Sequence, residues 1–325
     1  MRQIALIGIG AGLASALLLV ATATGGLGIR LLVYLLAPLP LVLAGLGAGS
    51  MAAALGAVVS TSVLLAVVGD KVALLHAVAH GIPAALLCHL ALLSRERPTS
   101  DQYSPTNKPL LEWYPVGRIV AIAAVCAGLH GFLSTVVFGI DIEQQRAMLR
   151  QLMGALAQHL PRRDGKVLSE DELSALVELG IYTLPGAAAF SWLLSMLLNL
   201  YIGTRITAVS GRLIRPLPDV PSMIFPVGFS LGLAMALPLA FTGGTLGFIG
   251  SAFAGAFFCA HLLMGLAIVH DLSRGSTFRP GILAVLYVAL VFLNGWASVA
   301  LAIFAALAPI LPLSRGKAPA AGGPD

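Results

Sequence analysis

Long apolar runs, each closed by charge, glycine or proline, recur along the whole chain, and nine of them approach or exceed the ~20 residues that carry a helix across a bilayer. They cover approximately 4–23, 30–47, 51–68, 72–93, 116–139, 183–209, 223–241, 246–270 and 281–310. The third is short and rich in alanine and glycine; if it re-enters instead of crossing, the sides of all later segments invert. One stretch has a different period. Between 140 and 182, Ile142, Leu149, Leu152, Leu156 and Leu160 recur at helical spacing while Glu143, Arg146, Arg150 and Gln151 take other faces, which predicts an amphipathic helix. Pro161 to Gly165 ends it, and Ser169 followed by Glu172 forms a capping box that starts a second helix through Leu173, Leu176 and Val177. The predicted architecture is all-α: a polytopic integral membrane helical bundle of about nine transmembrane helices (8–9), forming a single membrane domain over 1–313. An external helical hairpin over 140–182 and a disordered tail over 314–325, rich in Pro, Gly and Ala, complete it. The hairpin fits either a plain connector or a lid or partner-docking element.

Composition agrees with a lipid-facing chain. Of 325 residues, 58% are hydrophobic and 10% charged, against roughly 25% charged in soluble domains, and the mean hydropathy is +0.95. A water-soluble globule is excluded. Small-residue stripes suit helices that approach closely in lipid. Gly8, Gly12 and Ala16 form one in the first span. Gly228, Gly232, Ala236, Ala240 and Gly244, with Gly243, Gly247, Ser251 and Gly255, form two more that would pack the seventh span on the eighth.

The net charge of +5 has to be assigned loop by loop. With nine spans, one face holds Arg2, Arg95, Arg97, Lys108, Arg118, Arg205, Arg212, Arg215, Arg274 and Arg279, while the short segments opposite hold only Arg30, Lys71, Arg315 and Lys317. The positive-inside rule then puts the N-terminus in the cytoplasm and the C-terminus outside. Ala21-Thr22-Ala23 imitates a signal-peptide cleavage site, but spans follow at once, and a retained first helix is the reading taken. Cys88, Cys126 and Cys259 lie within apolar segments without metal or disulfide spacing.

Catalytic templates fail by named residues. His76 and His80 have the i, i+4 spacing of a zincin, but Ala77, Val78 and Ala79 leave no glutamate base between them. Gly69-Asp70 lacks the first glycine and the second aspartate of an intramembrane aspartyl protease. Ser50 lacks the context of a membrane serine protease, and no GxxxxGK loop offers a phosphate cradle. No enzyme activity, cofactor, metal or nucleic-acid partner is expected.

Polar groups inside lipid-facing lengths are the default place to look for function. His80 lies roughly 12 Å below the external end of the fourth span at helical rise, and His130 at similar depth in the fifth. Asn294 in the ninth span and Asn199, with Ser195 and Trp192, in the sixth are the other candidates. Each fits either a shared ligand cavity or an interhelical tether. His261 and Cys259 read as packing residues. Pro38 and Pro40 should break the second span, leaving carbonyls that need partners, which is how many transporters expose backbone at a midplane site. The candidate cavity is therefore Pro38, Pro40, His80, His130, Asn199 and Asn294. Arg205, Arg212 and Arg215 before Pro216-Leu217-Pro218 fit a solvated positive loop, or a contact with anionic lipid or a membrane ATPase.

Leu36-Ala37-Pro38-Leu39-Pro40, Gly81-Ile82-Pro83 through Ser94-Arg95-Glu96-Arg97, and the Leu179–Pro226 stretch with Pro185, Asn199, Arg205 and Pro216-Leu217-Pro218 together resemble the YybS-like (DUF2232) multi-pass membrane proteins, over about Leu31 to Pro312. That family is distantly similar to the substrate-binding S components of energy-coupling-factor transporters. The resemblance implies a small-molecule binding or transport subunit of the bacterial cytoplasmic (inner) membrane. It would have an external ligand cavity and no ATPase of its own, and would work with separate ATPase and coupling subunits. S components usually have about six spans, and their first helix carries an AxxxA docking surface; here the matching positions read Gly8, Gly12 and Ala16, and the chain is longer. A membrane scaffold or regulator, recruiting partners through the hairpin or the glycine faces, is the alternative.

Overall fold

The computed structural model describes residues 1–24, 26–96, 111–136, 142–159, 169–293 and 295–311. The predicted 314–325 tail, the Pro161–Gly165 break and Asn294 lie outside them. The elements in order are α1 (Arg2–Ala21), α2 (Leu27–Leu36), α3 (Leu39–Ala48), α4 (Ser50–Val67), α5 (Asp70–His76), a π-helical turn (Ala77–Gly81) and α6 (Ile82–Leu92). A two-stranded ribbon follows, β1 (Ser94–Glu96) antiparallel to β2 (Leu111–Trp113), with Arg95 opposite Glu112 and bonded to it at 2.8 Å. Then come α7 (Val116–Val136), α8 (Ile142–His159), α9 (Glu170–Val209), α10 (Phe229–Ala240), α11 (Gly244–Leu272), α12 (Arg279–Phe292) and α13 (Trp296–Leu307). Two 3-10 turns, Val220–Ser222 and Ala308–Ile310, complete the described chain.

Among the described residues, seven helices are long and apolar enough to cross a membrane, counting α2 and α3 together as one and α5 to α6 as another. The other two predicted spans are shorter helices. The seventh is helical only over α10, because Pro226 biases its predecessor away from helical angles and Gly228 takes a left-handed φ of 81°. The ninth is divided into α12 and α13, with Gly295 at φ 90° between them. At 12 to 14 residues and ~1.5 Å per residue, each falls short of the ~30 Å hydrocarbon core.

The chain forms two compact units, interleaved in sequence: Met1–Ala123 with Leu194–Pro226 and His261–Asp325, and Ala124–Leu193 with Val227–Ala260. In the first, α1 lies on α4 through small residues. A methyl group at Gly8 would stand 2.8 Å from Ala52 O, and one at Gly12 would stand 2.5 Å from Gly56 O. The two backbones are in direct contact, the geometry that small-xxx-small stripes permit. The Gly8–Gly12–Ala16 stripe, where S components dock a coupling subunit, is here covered by α4.

In the second unit, α8 runs antiparallel to the start of α9. Arg146 bonds Glu178 at 2.6 Å and also Glu143, while Arg150, one turn on, bonds Glu170 eight residues earlier than Glu178. Leu149 is the apolar contact of this pair, clustered with Val177, Ile181 and Phe248. The capping box forms as expected: Ser169 N donates to Glu172 Oε2 at 2.9 Å, and Glu172 N to Ser169 Oγ at 3.3 Å. The helix that the capping box starts does not end before the sixth span, however. The two are one helix of 40 residues with Pro185 inside it. Pro185 removes one helical hydrogen bond, but Ser251 Oγ on α11 accepts from Gly186 N at 3.2 Å. Neighbouring helices thus take up groups that a proline displaces. Of the two glycine stripes, Gly232 meets Phe257 across α10 and α11, as expected, whereas Gly255 lies against the backbone of Gly186 on α9.

Candidate functional site

The second span breaks where the prolines require it. Helix α2 ends at Leu36, Ala37 and Pro38 form a tight turn, and α3 starts at Leu39. Side chains from other helices take the carbonyls on either side. Asn199 Nδ2 donates to Leu35 O at 2.7 Å, Ser195 Oγ donates to the same oxygen at 3.2 Å, and Ser15 Oγ donates to Ala37 O at 2.7 Å. Pro38 and Asn199 are fully buried, and Pro40 is half-buried. Of its two possible roles, Asn199 therefore fills that of interhelical tether. Its Nδ2 also donates to Ser195 O at 2.8 Å, while Oδ1 has no partner.

His80 sits in the π-helical turn, buried, with its ring edge-on to Tyr34 at 4.8 Å and 5.4 Å from His76. Single-turn π insertions of this kind are frequent at functional positions. His76 Nε2 lies 2.8 Å from Ser60 Oγ, and Ser60 gives its one proton to Ala57 O at 3.0 Å. A hydroxyl has a single proton, so His76 donates through Nε2–H and its buried Nδ1 is left as an acceptor without a partner. Tyr34, Ser60 and His76 are the residues that sequence reasoning missed here. His76 entered only as half of a failed zincin pair, though its i, i+4 spacing to His80 was the available signal. His130 belongs to the second unit, where its ring stacks on Trp192 at 5.4 Å.

The first unit also contains a cavity of about 650 Å³, within the ~300–1,000 Å³ of small-molecule sites. Its walls come from α9 (Leu194–Arg205), the start of α7, the end of α11, Tyr287 of α12, and the loop from Arg215 to Pro221. Pro38, Pro40, His80 and Asn199 do not line it. The loop is held down: Ile214 N donates to Leu46 O at 3.3 Å, and Arg212 N to Thr207 O at 2.9 Å. Arg212 and Arg205 are exposed as a solvated loop would have them, but Arg215 is buried. Burial pulls the Arg215 guanidinium below its ordinary pKa, and it still remains a cation at biological pH. His270 Nε2 and Tyr287 OH, also on the wall, bond each other at 2.9 Å. Among the described residues no three His, Cys, Asp or Glu come together as a metal site.

No family model, curated protein or solved structure matches the chain.

Proposed function

We propose that this chain is a multi-pass protein of the bacterial cytoplasmic (inner) membrane, N-terminus inside, that binds a small molecule with an apolar body. It acts as a binding or transport subunit beside separate ATPase and coupling subunits. The observation that carries this reading is the cavity of about 650 Å³, walled mainly by apolar helix faces, with Tyr201, Thr204, Arg205, Arg215, His270 and Tyr287 as its polar side chains. The resemblance to YybS-like proteins, and through them to S components, supports the same class. It places the ligand at an external cavity, however, whereas this one lies at the end of the bundle that carries the basic loops. The candidates at the proline break are then scaffolding for α2 and α3. A coupling subunit would need a surface other than Gly8, Gly12 and Ala16. Leu197→Trp, on the cavity wall, tests the reading. Added amphiphiles should raise the thermal midpoint of the wild-type protein and leave that of the variant unchanged; equal responses would remove the cavity from the account.

A second reading, a membrane scaffold, is favoured by α8, which leaves Met148 and Leu152 exposed beside its buried Leu149. In that case Met148→Asp with Leu152→Asp releases a co-purifying partner and leaves ligand binding intact.

A further inference from the structure

The charges around the cavity do not balance. Arg215 Nη1 donates to Ala91 O at 3.0 Å, and the guanidinium lies 5.8 Å from the centre of the Trp113 ring. Its Nε is buried without a hydrogen-bond partner, in a side chain only 9% exposed. Two acids of this unit face a different cation: Asp219 accepts from Arg274 at 2.8 Å, and Asp271 Oδ1 lies 3.3 Å from the same arginine while its Oδ2 has no hydrogen-bond partner. Among the described residues no carboxylate pairs with Arg215. A buried cation without a counter-charge is expensive, and an anion brought to it recovers that cost.

The walls say what kind of anion. Arg205 lies at the same end as Arg215, on the last turns of α9, and Leu194, Leu197 and Leu198 line the helix behind it. Leu194 to Arg205 covers about 16 Å at helical rise. Leu194 and Leu198 are exposed, an apolar face of the cavity wall that would meet hydrocarbon in a membrane-spanning chain. A soluble anion would meet only the charged end. A molecule entering from the bilayer meets both.

We infer that the cavity takes a net-anionic phospholipid from the bilayer, its phosphate on Arg215 and Arg205 and an acyl chain along Leu194, Leu197 and Leu198. This rests on the reading of the chain as a membrane-embedded binding protein, and basic pockets on cytoplasmic faces are known to hold such headgroups.

The full chain is reconstituted in nanodiscs of equal phosphatidylglycerol and phosphatidylcholine, and the retained lipids are counted by native mass spectrometry. Wild type retains phosphatidylglycerol over phosphatidylcholine by about ten-fold, the worth of one charge-assisted hydrogen bond, and R215Q loses that preference. R212Q, an exposed neighbour that does not line the cavity, keeps it. Leu197→Trp displaces both lipids. Should R215Q fail to fold, R205Q decides, with a reduced preference expected. Equal retention of the two lipids by wild type, or an unchanged preference in R215Q or R205Q, overturns the anionic assignment and leaves the cavity as a binding site. Retention of neither lipid by wild type overturns the assignment and the binding reading together.

Discussion

Leu35 O sits at a point where the helix cannot supply its own donor, and two side chains from another helix, Asn199 and Ser195, converge on it. Asn199→Leu removes the shorter bond and leaves a buried carbonyl on Ser195 alone. The expected cost is about 1–3 kcal/mol, read as a lower thermal or denaturant midpoint with lipid retention in the cavity unchanged. A residue lining the ligand would show the opposite pattern. The Asp219–Arg274 pair offers a second test. Arg274 holds the Asp219 carboxyl below its usual range, so the pair stabilises the fold at pH values above the ordinary carboxylate pKa and loses that contribution as pH falls through the lowered one. Both partners are partly exposed, and the effect is small. The thermal midpoint of Asp219→Asn should lie below wild type at neutral pH and converge with it in acid. At this scale the sequence showed which polar groups lie in apolar surroundings, but not their partners. Asn199 and Pro38 were legible as separate problems, a buried amide and an interrupted helix; that the amide takes a carbonyl freed at the break depends on packing between segments some 160 residues apart in sequence. Arg215 looked like any loop arginine, because nothing local records that Trp113 and Ala91 cover it.

Helices were legible where apolar runs meet an unambiguous stop. The capping box at Ser169 and Glu172 was legible to the residue, since both its bonds are local. The stops themselves were less reliable. Gly180 and Pro185 resemble a boundary, yet α9 continues through them, with Ser251 on a neighbouring helix accepting the Gly186 N–H. Conversely, the run over 281–310 has no charge to interrupt it, and the left-handed turn at Gly295 divides it all the same. The π turn at Ala77–Gly81 left no composition signal. The glycine stripe on α1 was legible as a packing surface, and its partner proved to be α4. Gly12→Leu would force those backbones apart. The expected loss is about 1–3 kcal/mol, as for other over-packed contacts, seen as a reduced thermal midpoint, whereas Gly10→Leu, with open space around it, should be neutral.

At the scale of the molecule, composition alone excluded a soluble globule, and the described helices agree: seven are long and apolar enough to cross a membrane. What composition could not supply was the cavity, whose walls come from helices and a loop far apart in sequence and meet only in the fold. The side assignment makes its own prediction. With the basic loops inside, a membrane-impermeant maleimide added to intact spheroplasts labels Glu143→Cys on α8 and spares Arg212→Cys; the reverse pattern inverts the topology. Of the three native cysteines, Cys88 and Cys259 are buried and should stay silent, and the half-buried Cys126 is replaced by Ser in the labelling background. The central claim, that the cavity is a binding site, is tested most directly by native mass spectrometry of the protein released from its own membrane without added ligand. The account predicts a non-covalently retained molecule on the wild-type chain that is lost from Leu197→Trp at unchanged helicity. A wild-type chain that flies bare under the mildest activation, or a variant that retains the same mass, would contradict it.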